Sequence, residues 1–306
     1  MERTTRILAR RLGALVLAGA ALAPAHAETT ACTVIASLPA MLDVPGHYCL
    51  EANSTQDFVD HAIAIIADNV VLDCNGHRIR NSYSLNNAVG VGAGNQNHVV
   101  IRNCVVDGFL QGINVITYSD GRGDGNSIVG NHVLNSRKIG IFLSGSHNVV
   151  ADNRITRTTG NYDGSLYGIM LLNYGSGAVG NVLRNNVIAD FKPSPPSGQA
   201  SITEAIYIGR ASNTVVEGNT ISGLHAATGA WVHAIEAYGS QQIVTGNTVL
   251  APPAPLPVPF DGMQVRGIFL YGNLPEDDLG NACADNVVGG FITNISGCVM
   301  SGNTEF

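Results

Sequence analysis

The sequence repeats itself about every thirty residues. An apolar doublet, a spacer, an Asn and a β-branched residue recur as VVIRNCV at 99–105, IVGNHV at 128–133, VVADNRI at 149–155, VLRNNVI at 182–188, VVEGNTI at 215–221, IVTGNTV at 243–249 and CADNVV at 283–288. A second phrase follows each of the first six copies: GINV at 112, GIFL at 140, GIML at 168, AIYI at 205, AIEA at 234 and GIFL at 267. Short β-branched runs divided by Gly and Asn exclude long helices. A repeat of this length buries its apolar face only by stacking on its neighbours, so the pattern predicts an all-β solenoid of about eight coils.

The first 27 residues stand apart from the repeat. Arg3, Arg6, Arg10 and Arg11 precede an apolar run from Leu12 to Leu22, and Ala25-His26-Ala27 follows as a small-x-small site. These are the parts of a cleaved secretory signal peptide over 1–27. A membrane anchor needs about 20 apolar residues, and this run is shorter. The expected organisation is a signal peptide over 1–27, an N-terminal cap over 28–60, and one solenoid with a C-terminal cap over 61–306. The expected location is secreted or periplasmic, with no membrane span.

Charge narrows the partners. Charged residues make up 13% of the chain, against about 25% in an average globular protein. Cleavage would remove four Arg and Glu2, taking the net charge from -7 to -10 (-7 - 4 + 1), with Lys138 and Lys192 the only lysines. Nucleic acid and anionic membranes require basic stripes, so neither is expected as a partner, and the chain is expected to be a monomer.

All six Cys follow the leader. An even number in an exported chain favours disulfides, although six Cys allow 15 pairings. Local pairing is expected: Cys32 with Cys49, Cys74 with Cys104, and Cys283 with Cys298, each worth about 3 kcal/mol if unstrained. Buried free thiols at Cys74 and Cys104 are the alternative. No CxxC or His cluster at ligand spacing points to structural zinc. The Asn column at 103, 131, 153, 186, 219, 247 and 286 falls where the chain bends between strands. Asn tolerates left-handed dihedrals, and its amide can bond to the next coil, so the column is read as a structural ladder.

The opening segment is the most specific. VPGHYCL at 44–50 leads to HAIAIIADNVVLDCNGHRI at 61–79 and then to HVVIRNCVVDGF at 98–109. With these phrases the chain, from about 32 to 300, resembles the right-handed parallel β-helix proteins of the pectate-lyase-like superfamily. The resemblance implies a single-stranded right-handed parallel β-helix and a strand face that binds extended polysaccharide. Some members cleave uronate polymers, some epimerise them, and many have no assigned activity. The chain lacks R-x-P-x-x-R and W-x-D-H of the pectate lyases, N-T-D and G-H-G of the polygalacturonases, and D-P-H-D of the alginate epimerases. Similarity to the β-helix accessory proteins of nitrous-oxide reductase maturation would imply copper handling, but five scattered Met form no cluster.

Within each second phrase the Ile points inward and the next residue outward, because strand side chains alternate. The outward positions are Asn114, Phe142, Met170, Tyr207, Glu236 and Phe269, then Ile116, Ser144, Leu172, Gly209, Tyr238 and Tyr271. Tyr207, Tyr238, Phe269, Tyr271 and Phe142 are therefore candidate substrate-binding residues, suited to the C–H faces of sugars. Inserts at 156–166, 191–203, 222–232 and 251–265 occupy the same slot in successive coils. They either cover this face as a secondary core or wall a groove, and the Pro-rich KPSPPSG at 192–198 and PPAPLPVP at 252–259 are stiff enough for a wall.

Two residues before each inward Ile lie Gln111, Ile139, Tyr167, Glu204, His233 and Arg266. Strict alternation would bury this stack, which is improbable for Glu, His and Arg; a bend exposing them beside the inserts is expected. His233, Glu204, Arg266 and Glu236 are the candidate catalytic residues. On a uronate, Arg266 would neutralise the carboxylate while His233 takes the C5 proton. On a neutral glycan, Glu204 and Glu236, with backbones roughly 11 Å apart, would reach the separation of an inverting hydrolase. The alternative is a surface ion-pair row without chemistry. Asp120 and Asp124 in SDGRGDG, and Glu276 to Asp278, carry oxygen ligands for calcium or are solvated turns; no metal site is assigned. The expected function is to bind, and cleave or epimerise, an extended polysaccharide. A non-catalytic surface-structural or protein-interaction module is the alternative.

Overall fold

The computed structural model describes residues 32–82, 87–118, 122–159, 164–173, 177–193, 202–225, 231–251, 265–271 and 280–306. The leader, Asp120, Glu276 to Asp278, PPAPLPVP and most of KPSPPSG lie outside the described residues. Among those described, every regular element is a strand. They form three long sheets of eleven, ten and ten strands, plus one two-stranded pair. The first sheet runs from Thr33–Val34 to Val299–Ser301, the second from Ser54–Gln56 to Thr304–Glu305, and the third from Ala40–Leu42 to Thr293–Ser296. Each coil contributes one strand to each sheet in turn, as in Val149–Ala151, Arg154–Thr156 and Ser165–Leu172. Every pairing is parallel and joins neighbouring coils, which makes the chain a parallel β-helix, right-handed as parallel crossovers almost always are. The coils counted from repeated phrases are extended at both ends by further rungs, and the last of them, VMSGNTE at 299–305, carries the next Asn of the column, Asn303. Residues 33–56, expected to form part of a cap, already supply strands to all three sheets.

Stacking in register turns like residues into columns. Ile101, Ile128, Val150, Leu183, Val216 and Val244 line the core from the first sheet, and Val133, Ile155, Ile188, Ile221 and Val249 from the second; all are fully buried. The third sheet adds Val91, Ile113, Ile141, Ile169, Ile206, Ile235 and Ile268, also fully buried. This continuous apolar interior is the main stabilising contribution of a fold whose coils cannot each form a core.

Three bridges join Cys32 to Cys49, Cys74 to Cys104 and Cys283 to Cys298, with Cα separations of 5.8, 4.7 and 5.8 Å. The expected pairing holds, and no free cysteine remains.

The Asn column is a hydrogen-bonded ladder, with one correction. Asn131, Asn153, Asn186, Asn219, Asn247 and Asn286 are almost fully buried. The backbone N–H of Asn186 donates to Asn219 Oδ1 at 2.9 Å, that of Asn219 to Asn247 Oδ1 at 2.9 Å, and that of Asn247 to Asn286 Oδ1 at 3.0 Å. Each amide nitrogen also satisfies a first-sheet carbonyl, as Asn219 Nδ2 does for Leu183 at 2.9 Å. The left-handed dihedral belongs to the preceding residue: Asn103, Asp152, Asn185 and Asp285 have φ of 53°, 57°, 53° and 53°, and Gly takes this slot in other coils. Asn103 is therefore in the left-handed slot, and Cys104 occupies the ladder position. One residue provides the turn and the next satisfies the buried backbone. A second ladder, not read from the sequence, includes Asn126, Asn148 and Asn181, with Asn126 N–H donating to Asn148 Oδ1 at 2.7 Å and Asn148 N–H to Asn181 Oδ1 at 2.9 Å.

Asn219→Ala would leave the Asn186 amide buried without its acceptor and take a second donor from the Leu183 carbonyl, at a cost of about 2 kcal/mol. Asn185→Gly only relieves a left-handed backbone and should lie within about 1 kcal/mol of wild type. Chemical denaturation of the two variants checks the division; equal losses would contradict it.

Candidate functional site

The bend expected in the third sheet exists and has a steric cause. Gly140, Gly168, Ala205, Ala234 and Gly267 immediately precede the inward Ile of their strands. A Cβ added at Gly168 would lie 2.5 Å from Ala205 O and 2.8 Å from Ile188 Cγ2, so the position faces the core and admits only a very small residue. Two consecutive residues thus face inward, and side-chain parity shifts by one. In consequence Glu204, His233 and Arg266 share the outward face with Tyr207, Glu236 and Phe269. In the backbone register Glu204 pairs with His233 and Tyr207 with Glu236. His233 pairs in turn with Arg266, Glu236 with Phe269, and Tyr238 with Tyr271.

The polar residues converge on Glu236. His233 Nδ1 is hydrogen-bonded to Glu236 Oε2, and the Tyr238 hydroxyl donates to Glu236 Oε1 at 2.7 Å. Glu204 Oε1 lies 4.0 Å from His233 Nδ1. One ligand atom from each of Glu204, His233 and Glu236 lies within 4.8 Å of the others. The exposures of Glu204, His233 and Glu236 are 4%, 2% and 4%, so the expected exposure of Glu204 and His233 is corrected: they face outward yet are buried. Glu204 Oε2 and His233 Nε2 are buried without a hydrogen-bond partner.

Arg266 also departs from expectation. It lies 3.6 Å over the Phe269 ring, and its Nη1 donates to the Tyr271 hydroxyl at 3.3 Å, so it forms no ion-pair row with His233. The π face and phenol hold the guanidinium, while His233 turns to the carboxylate three residues along its own strand. Glu204 and Glu236 lie closer together than the roughly 6.5–9.5 Å of an inverting hydrolase.

Burial, and then the charge of Glu236, push the Glu204 carboxyl up to about 10. Burial also raises Glu236, but hydrogen bonding and charge from His233, with contacts to Glu204 and Tyr238, outweigh it and hold Glu236 below the usual carboxylate range. At neutral pH the pair is one carboxyl and one carboxylate, a division suited to proton transfer. Burial likewise raises the phenols of Tyr207 and Tyr238, reinforced by the Glu204 charge and by the Glu236 hydrogen bond respectively.

An aromatic row surrounds the cluster. Ring centroids are 5.9 Å apart for Tyr167 and Tyr207, 6.0 Å for Tyr207 and Tyr238, and 4.4 Å for the stacked Tyr238 and Tyr271. Tyr207, Tyr238, Phe269 and Tyr271 are half-buried, as a binding face requires. Phe142 is corrected: it is 5% exposed, in a satellite core with Ile116 and Ile139. A secondary core thus exists around Phe142, and the partly open row begins beyond it. Trp231, 46% exposed with its ring 6.5 Å from that of His233, was missed. Its position two residues before His233 was a signal, obscured by assigning 222–232 to an insert.

The mixed nitrogen and oxygen donors of Glu204, His233 and Glu236 are of the right chemistry to hold a metal. Of the calcium candidates, the described Asp124 accepts the Ser146 amide at 2.8 Å and so serves its turn.

The family described as a right handed beta helix region matches residues 68–249, more than half of the chain. No curated protein matches. Among solved structures, the alginate lyase from Paenibacillus sp. str. FPU-7 has a TM-score of 0.51 at 15% identity, covering 85% of this chain and 88% of that one. PfbA, a surface adhesin of Streptococcus pneumoniae, gives 0.43 at 12% identity, covering 81% and 61%. The tailspike protein of E. coli bacteriophage HK620, solved with a pentasaccharide, gives 0.41 at 13%, covering 85% and 53%. Likeness at these identities concerns the fold alone.

The raised Glu204 value has a signed consequence for stability. Between the ordinary 4.5 and about 10, the folded chain keeps a proton that the unfolded chain has released. The contribution is complete below 4.5 and declines as pH rises, by up to about 1.4 kcal/mol per pH unit. Denaturation in chelator-containing buffer at pH 6, 7.5 and 9 should show Glu204→Gln losing stability less steeply than wild type. Parallel curves would refute the assignment.

Proposed function

This chain belongs to the right-handed β-helix family, and from that premise we propose that it is an exported, monomeric protein that binds an extended acidic polysaccharide along the outward face of its third sheet. The observation that carries the reading is the half-buried row of Tyr207, Tyr238, Tyr271 and Phe269 beside a cation, Arg266, that has no carboxylate partner among the described residues. Aromatic faces pack against the C–H faces of sugar rings, and a guanidinium pairs with a carboxylate in two parallel hydrogen bonds. Successive coils lie about 4.8 Å apart, so the row offers contacts along a polymer rather than one isolated pocket. The net charge of the chain is -7. It opposes non-specific attraction of polyanions, nucleic acid included, and leaves recognition to the local Arg266.

Three disulfides support an oxidising compartment, and no described helix is long and apolar enough to cross a membrane. The signal peptide expected over 1–27 agrees with export. A second reading adds turnover of the lyase or epimerase kind, with Glu204 as acid and Glu236 as base; their divided ionisation favours it, and their close approach speaks against inverting hydrolysis. Burial of both carboxylates beneath the row puts binding first, because a reacting polymer must touch the groups that act on it.

Affinity electrophoresis against polyuronates and neutral glycans tests the reading. Tyr207→Ala and Trp231→Ala should each weaken retention about tenfold, or about 1.4 kcal/mol. Arg266→Gln should abolish preference for the uronate. Shortened or unsaturated ends would add turnover, whereas no retained polymer, or retention indifferent to all three changes, would reject this face.

A further inference from the structure

The cluster beneath the aromatic row is short of positive charge. It brings two carboxyl groups and one imidazole together with almost no solvent contact, and Arg266, which pairs with His233 in the backbone register, is held instead over Phe269 and by Tyr271. Among the described residues, the groups in contact with it include Tyr238, Phe269 and Trp231, with Tyr207 beside Tyr238, none of them basic. Two of its polar atoms, Glu204 Oε2 and His233 Nε2, have no hydrogen-bond partner, in side chains exposed by only 5% and 2%. Orphaned polar atoms at this depth are rare in folded proteins and point to an absent partner.

We propose that Glu204, His233 and Glu236 bind one divalent first-row transition-metal ion. Their donor atoms already lie within 4.8 Å of one another. Ligands about 2.0–2.2 Å from such an ion in a tetrahedral site lie roughly 3.3–3.6 Å apart, so Glu204 has to move inward while His233 and Glu236, now hydrogen-bonded to each other, separate to admit the ion. One imidazole with two carboxylates suits zinc, iron or manganese; it does not supply the six to eight oxygens that calcium prefers. His233 and Glu236 come from one strand and Glu204 from its neighbour, so the sheet holds the donors before the ion arrives. Tyr238 steadies Glu236 through its 2.7 Å hydrogen bond, as outer partners of ligating carboxylates do. Metal ligation requires deprotonated donors, so any proton held by the three ligands passes to solvent on binding.

The experiment uses the full exported chain, stripped with chelator and titrated with Zn²⁺ while the emission of its single tryptophan, Trp231, is followed. Calorimetry gives the stoichiometry. One saturable ion per chain is expected, with affinity reduced at least 100-fold in Glu204→Gln and in His233→Gln. Circular dichroism checks folding; if either variant is unfolded, Glu236→Gln and the visible absorption of Co²⁺-loaded wild type decide. No saturable binding by wild type, or equal binding by folded variants, overturns the site. Polysaccharide retention is measured on the same samples. Metal binding without retention sinks the glycan reading and leaves this site, and retention without metal binding does the reverse.

Discussion

Everything in this molecule depends on parallel hydrogen bonding in register between successive coils. Because each strand pairs with its counterpart one coil away, a residue type repeated in the sequence becomes a column in space. Columns of Ile, Leu and Val become the core, and columns of Asn satisfy the backbone where the sheets turn. The same constraint acts on the smallest residues. The column containing Gly140, Gly168, Ala205, Ala234 and Gly267 brings the chain so close to the neighbouring backbone that no larger side chain fits. That crowding shifts side-chain parity and sends Glu204 and His233 outward.

The outward face is divided by what its columns contain. Around Phe142 it is apolar and buried, a second small core. From Tyr207 onward it is aromatic and half-open, with a polar cluster beneath it. The cluster is electrostatically incomplete. Glu236 accepts from His233 and Tyr238, and Glu204 can remain in its company only by retaining a proton or by sharing a cation. Burial makes this unavoidable, since groups with so little solvent contact incur a large desolvation cost for a second charge.

Much of the fold was legible because its determinants are local and repeated. The period, the Asn phrase and the nearby cysteine pairs lie within single coils or adjacent ones. The bend too could be inferred, because a stack of Glu, His and Arg inside an apolar core is untenable. The roles of neighbouring Asn residues were less legible: Asn185 and Asn186 are identical in type, yet one adopts the left-handed turn and the other hydrogen-bonds the next coil. The burial of Phe142 was also hidden, since its place in the repeat equals that of the half-buried Tyr207 and Phe269.

The sequence by itself determined the repeat architecture, favoured the local disulfide pairing and pointed to the outward placement of Glu204, His233, Glu236 and their aromatic neighbours, because coil stacking follows from chain order and a buried stack of Glu, His and Arg is untenable. Only the tertiary structure decided which of these groups meet. Rotamers and burial turned His233 toward Glu236 and gave Arg266 to Phe269 and Tyr271, and they drew Glu204 into a dry carboxyl pair. Such choices depend on distances of a few ångströms between side chains of neighbouring coils, which chain order does not specify.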